Sequence, residues 1–251
     1  MHTIHTSLSA QRGARPRNAA PHAKVRQRRR RRPPARQIEL PLTSTPTPGR
    51  WVDQPFLALD LETTGLHPEH DHIIEVGGVR FDRQQATSQF AQLVRCEHEV
   101  PRRVQALTGI DPALLQAQPD LIGVLRQLRH QLEEVAFVVA YHVPFDRSFL
   151  QAAFAKAGMT LPLRPWVDPL VLARQLEEPG LPMNLAATAK RWGIAQHGAH
   201  RALPDAMAAG ELLLTLAPHL DVDDLSAVCA LQRQVRRQRQ REKAERGERR
   251  A

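Results

Sequence analysis

Short apolar runs of strand length and longer runs of helical spacing follow one another between residues 56 and 216. The first three runs have the length and composition of strands and occupy residues 56–61, 73–79 and 90–94. The later runs predict a helix in 119–134, a strand in 135–140, a helix opened by Pro144, a short strand and helix in 166–176, and helices at 185–192 and 202–216. Three strands followed by alternating helices and strands predict an α/β sandwich with a mixed sheet.

The formal net charge of +9 is unevenly distributed along the 251 residues. Residues 1–50 carry a net +11, residues 51–225 a net −8 and residues 226–251 a net +6. We therefore predict a disordered basic arm over 1–50, a folded domain over 51–220 and a basic, partly helical tail over 221–251. The tail has a helix start at Leu225 but then becomes too charged and repetitive to pack. Because residues 51–225 are acidic, a polyphosphate substrate of this domain would need cations between itself and the protein, which indicates metal ions.

The two cysteines, Cys96 and Cys229, lie far apart and form no CxxC pair. This argues against a disulfide framework and against a zinc site, and it fits a reducing, cytoplasmic location. No apolar run approaches the length of a membrane span, so no membrane association is expected. The Arg-rich, acid-poor N-terminus also allows an organellar transit peptide, although its prolines and the unbroken arginine run at 28–32 favour a solvated arm.

The first candidate site is the segment at residues 60–65, in which Asp60 and Glu62 end an apolar strand before a Gly turn. Residues two apart on a strand face the same side of the sheet. Two adjacent carboxylates raise each other's pKa unless a cation lies between them, and a site of hard oxygen ligands suits Mg²⁺ or Mn²⁺. The alternative is a strand end with two solvated acids.

Two further segments place acids at helix starts. Asp146 is predicted in the first turn of the helix opened by Pro144, where the helix dipole favours a negative charge even without a ligand. Asp205 follows Pro204 in the first turn of the 202–216 helix, and His200 lies in the loop before it. A loop histidine by itself is usually an ordinary surface residue.

Taken together, the three segments resemble the DEDDh, or DnaQ-like, 3′→5′ exonucleases. Asp60 and Glu62 match the first motif of that family, Asp146 the second and Asp205 the third, and His200 stands at the position that defines the "h" subgroup. The resemblance runs from about residue 53 to residue 217. Further similar segments lie at residues 73–77, 107–110, 167–170 and 172–174.

The resemblance implies a ribonuclease H-like fold with a mixed five-stranded sheet flanked by helices. It implies two-metal hydrolysis of the terminal phosphodiester, in which the four carboxylates hold two divalent cations, Mg²⁺ or Mn²⁺. In that scheme Asp60 bridges both ions, and His200 is the general base, a role suited to an imidazole that titrates near neutral pH.

Individual residues within the same motifs are the basis for predicting the substrate. Thr63 and Thr64 complete the first motif and are expected to bind substrate, and Thr63 resembles the branch of the family that contains the epsilon proofreading subunit of DNA polymerase III. The family usually has His-Asn where this chain has Tyr141 and His142, so His142 is expected to take over the hydrogen bond of that Asn to the substrate nucleotide. We predict single-stranded DNA 3′ ends as substrate, in replication proofreading or repair. RNA processing by a 3′→5′ exoribonuclease, or a non-catalytic nucleic-acid-binding module, remains the alternative.

A second motif lies in the N-terminal arm. The segment at 37–42 resembles the QLxLxL peptide with which bacterial proteins dock on the replicase sliding clamp, with Gln37, Leu40 and Leu42 at the binding positions. This pattern predicts the sliding clamp or a polymerase as partner. A chance apolar patch, or the first strand of the domain, would account for the same residues.

Overall fold

The computed structural model of the chain describes residues 50–196, 198 and 200–248. The described strands are β1 (Phe56–Thr63), β2 (Ile73–Asp82), β3 (Gln85–Leu93), β4 (Phe137–Val139) and β5 (Trp166–Val167). The described α-helices are α1 (Arg102–Thr108), α2 (Pro112–Leu115), α3 (Leu121–Glu133), α4 (Val143–Lys156), α5 (Pro169–Leu176), α6 (Leu185–Arg191), α7 (Ala202–Leu216) and α8 (Leu225–Glu248). The predicted arm, apart from Arg50, and the clamp-like peptide lie outside the described residues.

The five strands form one mixed sheet in the order β3-β2-β1-β4-β5. β1 pairs antiparallel with β2 and parallel with β4, and β5 is parallel to β4. The central strand β1 is buried on both faces: Phe56 and Ala58 pack in the core under α7, whereas Leu57 and Leu59 pack in the core under α3 and α4. This arrangement confirms the predicted mixed five-stranded sheet flanked by helices.

Helix α7 lies close against β1 and β2 because both surfaces are made of small residues. A Cβ atom added to Gly77 of β2 would overlap the backbone at Ala202, and one added to Gly210 of α7 would overlap the ring of Phe81. Ala206, which is fully buried, extends the same close contact along the helix. The close approach brings the first turn of α7 to the carboxyl-terminal half of β1.

The main helices agree with the sequence-based boundaries, and α7 begins and ends where the pattern predicts. Helix α3 begins after Asp120, whose side chain accepts a 2.8 Å hydrogen bond from the backbone N–H of Gly123. Helices α1 and α2 were not predicted, since seven and four residues are too short to show a helical period. None of the helices in the described ranges has both the length and the apolarity needed to cross a membrane.

Helix α8 begins at Leu225, where the sequence predicts a helix start, and its first half belongs to the folded domain. Its first three turns pack against the domain through Val228, Gln232 and Val235, which are 0%, 5% and 6% exposed. The Gln232 side chain accepts a 2.7 Å hydrogen bond from the backbone N–H of Asp168 and donates a 3.2 Å bond to the carbonyl of Trp166. The packed part of the helix therefore includes the predicted helix start at Leu225 and extends to Val235. From Arg237 as far as Glu245, every residue of the helix is exposed.

Candidate active site

Three acidic side chains from two elements meet at one edge of the sheet. Asp60 and Glu62 lie on the same face of β1, and Asp205 lies in the first turn of α7, which crosses that face. One carboxylate oxygen from each of the three lies within 4.8 Å of the others. Within the described ranges, this is the acidic group with the spacing needed to hold a metal ion.

Asp146 lies beside Asp60 but outside the group of three acids whose oxygens lie within 4.8 Å of one another. It lies in the first turn of α4, which follows the parallel strand β4, and it is only 2% exposed. Burial raises the pKa of Asp60 most, and the charge of Asp146 is the next cause, so the Asp146 carboxylate lies close to Asp60 of β1. Its Oδ1 is buried and has no hydrogen-bond partner among the described residues. An orphaned buried carboxylate oxygen is costly, and a cation would give it a partner.

The pKa values of the four carboxyl groups are all raised. Burial raises the pKa of Asp60 well above the usual range, and the charges of Asp146 and Asp205 add to the shift. Burial and the charge of Asp205 raise the pKa of Glu62 to about 7. Burial likewise raises the pKa values of Asp146 and Asp205. A cation between these groups would favour their ionised forms, so the donor set fits a divalent ion with oxygen ligands.

The His200 loop is attached to Asp205. The backbone N–H of His200 donates a 3.2 Å hydrogen bond to Oδ2 of Asp205, and the side-chain amide of Gln196 donates to Oδ1. His200 has a φ of 65°, in the left-handed region, and its side chain is exposed. The nearby His200 side chain helps to lower the pKa of Asp205 against the effect of burial. The predicted base thus lies at the rim of the carboxylate group.

An ion pair between a buried acid and a partly exposed arginine, which the sequence did not reveal, supports this loop. Glu75 of β2 is 1% exposed and accepts three bonds from the Arg201 guanidinium, at 2.6 Å from Nη2 to Oε1, 3.0 Å from Nε to Oε2 and 3.2 Å from Nε to Oε1. It also accepts a 3.1 Å bond from the backbone N–H of Ala202 at the start of α7. Glu75 pairs across the strands with Glu62, so Arg201 offsets the repulsion between two facing acids. An acid inside an apolar strand indicates a buried partner, but not which residue supplies it.

Asp168 plays a similar part at the start of α4. It is 1% exposed and accepts backbone hydrogen bonds from His142 at 3.1 Å and from Val143 at 3.2 Å. These bonds hold His142 in the left-handed region, with a φ of 69°. Arg236 of α8 forms a 2.9 Å ion pair with the same carboxylate. Sequence reasoning placed Asp168 in the strand-to-helix segment but did not assign it this role.

The residues predicted to bind substrate fall into two groups. Thr63 and Thr64 are buried, and their hydroxyls form hydrogen bonds within the local turn. The Thr63 hydroxyl donates a 2.5 Å bond to the carbonyl of Gly65, and the Thr64 hydroxyl accepts a 2.9 Å bond from the backbone N–H of His72. The side chain of His142 is exposed. The neighbouring Tyr141 turns away, with its hydroxyl bonded to the Met183 carbonyl at 2.7 Å, and burial raises its pKa to about 12.

Comparison with known proteins gives matches in one family. The sequence matches the Exonuclease family over residues 57–213, which is more than half of the chain. It is 32% identical over 162 residues to a DNA polymerase III of the PolC type from Thermotoga maritima, covering 64% of this chain and 12% of that protein. It is 32% identical over 167 residues to the DNA polymerase III epsilon subunit of Treponema pallidum, covering 65% of this chain and 77% of that protein.

Solved structures share the fold at lower sequence identity. Exonuclease I of E. coli in complex with a dT13 oligonucleotide superposes with a TM-score of 0.58 at 20% identity, over 66% of this chain and 42% of that one. The chain therefore spans about an eighth of the PolC-type polymerase and less than half of exonuclease I.

Proposed function

The chain belongs to the exonuclease family, and on that premise we propose that it is a metal-dependent 3′→5′ exonuclease acting on single-stranded DNA ends. The observation that carries the proposal is the convergence of Asp60, Glu62 and Asp205 within 4.8 Å of one another. Asp146, buried beside Asp60 with an unpartnered oxygen, completes the four-carboxylate set.

The proposed cofactors are two divalent cations, Mg²⁺ or Mn²⁺. Asp60, Glu62, Asp146 and Asp205 would hold them, with Asp60 between the other carboxylates and therefore best placed to contact both. Bound divalent ions lower the pKa of an attacking water and stabilise the leaving oxygen of a phosphodiester. The chain itself contributes the fixed positions of the four acids, set by the central strand and by the first turns of α4 and α7.

His200 is the proposed general base. Its backbone bond to Asp205 ties the loop to the carboxylate group, and its exposed side chain is accessible to water and substrate. It would take the proton from the attacking water as the terminal phosphodiester bond breaks. The Glu75–Arg201 pair keeps this loop and the start of α7 in place.

DNA is the preferred substrate for two reasons. Thr63 is typical of the epsilon-type branch, and the relatives include an epsilon subunit of DNA polymerase III. The E. coli structure with the same fold is a complex with a deoxyribonucleotide oligomer. Proofreading or repair is the corresponding proposed process, with RNA degradation as the alternative.

The test is a side-by-side assay of 3′-end degradation on labelled single-stranded DNA and RNA. We expect shortening of DNA from the 3′ end with Mg²⁺, none with EDTA, and slower shortening of RNA. Asp60→Asn and Asp205→Asn should each lower the rate by about 10²-fold or more, because each removes a negative charge from the metal-holding group. The matched control is Asp221→Asn, an exposed aspartate outside the site.

The other possible outcomes of this assay lead to different conclusions. Near-normal turnover by either site variant removes the mechanism. Faster degradation of RNA than of DNA assigns the alternative substrate. Tight binding to both nucleic acids without cleavage indicates a non-catalytic binding module.

His200→Ala separates the base from the metal ligands. General-base catalysis contributes about 10²- to 10⁴-fold, so kcat should fall within that range while the Mg²⁺ concentration for half-maximal activity stays the same. Hydroxide can replace the base, so the deficit should shrink as the assay pH is raised. A deficit that does not change with pH contradicts the assignment.

The clamp-like peptide suggests a partner for the N-terminal arm. We propose that Gln37, Leu40 and Leu42 dock on the bacterial sliding clamp, supported by the sequence pattern alone. The test is retention of the full chain on immobilised clamp, compared with a variant carrying Gln37→Ala and Leu42→Ala. Equal retention of both proteins removes the proposal.

A further inference from the structure

Helix α8 presents a row of cations toward the start of α4. Arg236, Arg239 and Lys243 lie three and four residues apart, so they share one helical face. Together with Arg174 of α5 and with His142, this face lines an open cavity of about 340 Å³. The cavity lies between α8, the start of α4 and the start of α5, and Asp168 at the start of α5 bonds to both of the other helices.

The charge in the cavity is only partly balanced. Arg236 pairs with Asp168 at 2.9 Å. Arg174, Arg239 and Lys243 have no ion pair with any carboxylate of the described part of the chain. The Nε of Arg174 is buried without a hydrogen-bond partner among these residues, and burial, followed by the charge of Arg239, lowers its pKa. Clustered like charges of this kind are unfavourable by themselves and favourable around an anion.

The cavity also has a defined position relative to the carboxylates. His142 and Pro144 form one wall, and Asp146 follows two residues later on the same helix. Asp168 bonds the backbone of His142 and also the guanidinium of Arg236. The cationic face is therefore held beside the helix turn that supplies one of the four acids.

We propose that this cavity binds backbone phosphates of the substrate strand, upstream of the bond that is cut. The inference rests on the proposed exonuclease function, which brings the 3′ end to the carboxylates and leaves the rest of the strand to be held elsewhere. Residues 51–225 carry a net charge of −8, so a strand approaching the site needs a local cationic surface. Arginine guanidinium groups and a lysine suit phosphate oxygens.

The test compares two double variants of the full chain. Arg239→Gln with Lys243→Gln removes two cations from the cavity and leaves the Arg236–Asp168 pair intact. Arg237→Gln with Arg241→Gln removes the same charge from exposed positions of the same helix that do not line the cavity. Binding of a fluorescent dT20 strand is measured by anisotropy in EDTA, where no bond is cut.

The cavity variant should bind dT20 about tenfold more weakly. The slope of the logarithm of its binding constant against the logarithm of the salt concentration should be smaller in magnitude by about 1.4, as expected for two lost contacts to single-stranded phosphates. The control variant should stay within about twofold of the wild type. Equal losses in the two variants, or no loss in either, overturn the proposal. Displacement of dT20 by a polyglutamate peptide as readily as by unlabelled dT20 overturns it as well, in favour of an acidic protein partner.

A second measurement tests the upstream position. The p-nitrophenyl ester of thymidine 5′-monophosphate has no upstream phosphates, so the ratio of kcat/KM for dT20 to kcat/KM for the ester should fall about tenfold in the cavity variant. An unchanged ratio overturns the upstream assignment. If the wild type cleaves neither substrate, the exonuclease function fails, and the anisotropy result still decides whether the cavity binds phosphates.

Discussion

The charge balance around Glu62 depends on a single guanidinium. Glu62 faces Glu75 across the β1–β2 pair, and the charge of Glu75 raises its pKa while that of Arg201 lowers it. Arg201 is fully engaged with Glu75, through three contacts of 2.6 to 3.2 Å. Glu75 therefore holds Arg201 where its charge also offsets that of Glu62, and it positions the His200 loop.

Glu75→Gln tests this arrangement at the residue scale. The neutral amide can still accept from the N–H of Ala202, but it leaves the charge of Arg201 to pair with Glu62. Loss of a residue that supports metal ligands typically costs about 10- to 100-fold, so activity should fall by that order and the Mg²⁺ concentration for half-maximal activity should rise. Mg²⁺ titrations of nuclease activity provide the measurement.

The matched control is Glu134→Gln, which removes the exposed pair with Arg80. Exposed pairs contribute at most about 1 kcal/mol, so this variant should keep wild-type Mg²⁺ dependence. An unchanged Mg²⁺ dependence in Glu75→Gln would contradict the positioning role.

Helix α8 belongs partly to the folded domain and partly to the charged surface. Its buried residues recur at Val228, Gln232 and Val235, a spacing of four and three that faces one side of a helix. Gln232 links it to the β5–α5 segment through the backbone of Trp166 and Asp168. That segment in turn holds the start of α4, so the helix supports the site without contributing a metal ligand.

Gln232→Ala tests the packing at the element scale. It leaves the N–H of Asp168 and the carbonyl of Trp166 without their side-chain partner, and each unsatisfied buried group costs about 1 to 3 kcal/mol. We expect the melting temperature to fall by several degrees. Gln234→Ala, an exposed glutamine on the same helix, should leave it unchanged. Equal melting temperatures for the two variants would mean that α8 does not stabilise the domain.

Ionisation of the four site carboxylates without a bound metal lowers the free energy of unfolding of the whole domain. Burial and mutual repulsion raise the pKa values of Asp60, Glu62, Asp146 and Asp205. A folded state with raised carboxyl pKa values is favoured while these groups are protonated, and this contribution disappears as they ionise. A bound metal ion has the opposite effect on stability, because it favours the ionised carboxylates.

The consequence is a pH-dependent stability that Mg²⁺ suppresses. For Glu62 the contribution is fully present below its ordinary pKa of 4.5 and is lost as the pH rises through about 7. The shift corresponds to about 3 kcal/mol at most. In EDTA, the advantage of the wild type over Glu62→Gln in melting temperature should therefore decline between pH 5 and pH 8. Mg²⁺ should raise the melting temperature of the wild type more at pH 8 than at pH 5. An advantage that grows with pH in EDTA would refute this.

Local patterns in the chain were sufficient to predict most of the scaffold. The boundaries of α3 and α7 and the placement of Asp60, Glu62, Asp146 and Asp205 at strand and helix ends follow from periodicity and capping, which depend on neighbours within a few residues. The mixed five-stranded sheet was predicted through the family resemblance and is confirmed. Helices α1 and α2 were missed because short helices leave no periodic signal.

The sequence alone determined which acids lie at the end of the first strand and in the first turns of two helices, and that the folded part is acidic while the ends are basic. Only the tertiary structure decided which arginines pair with the two buried acids: Arg201 with Glu75, and Arg236 with Asp168. These partners are separated by 126 and 68 residues, so no local pattern connects them. The same long-range packing makes the first half of α8 a support for the site, because the buried Gln232 satisfies backbone groups of Trp166 and Asp168 that only the folded chain brings to it.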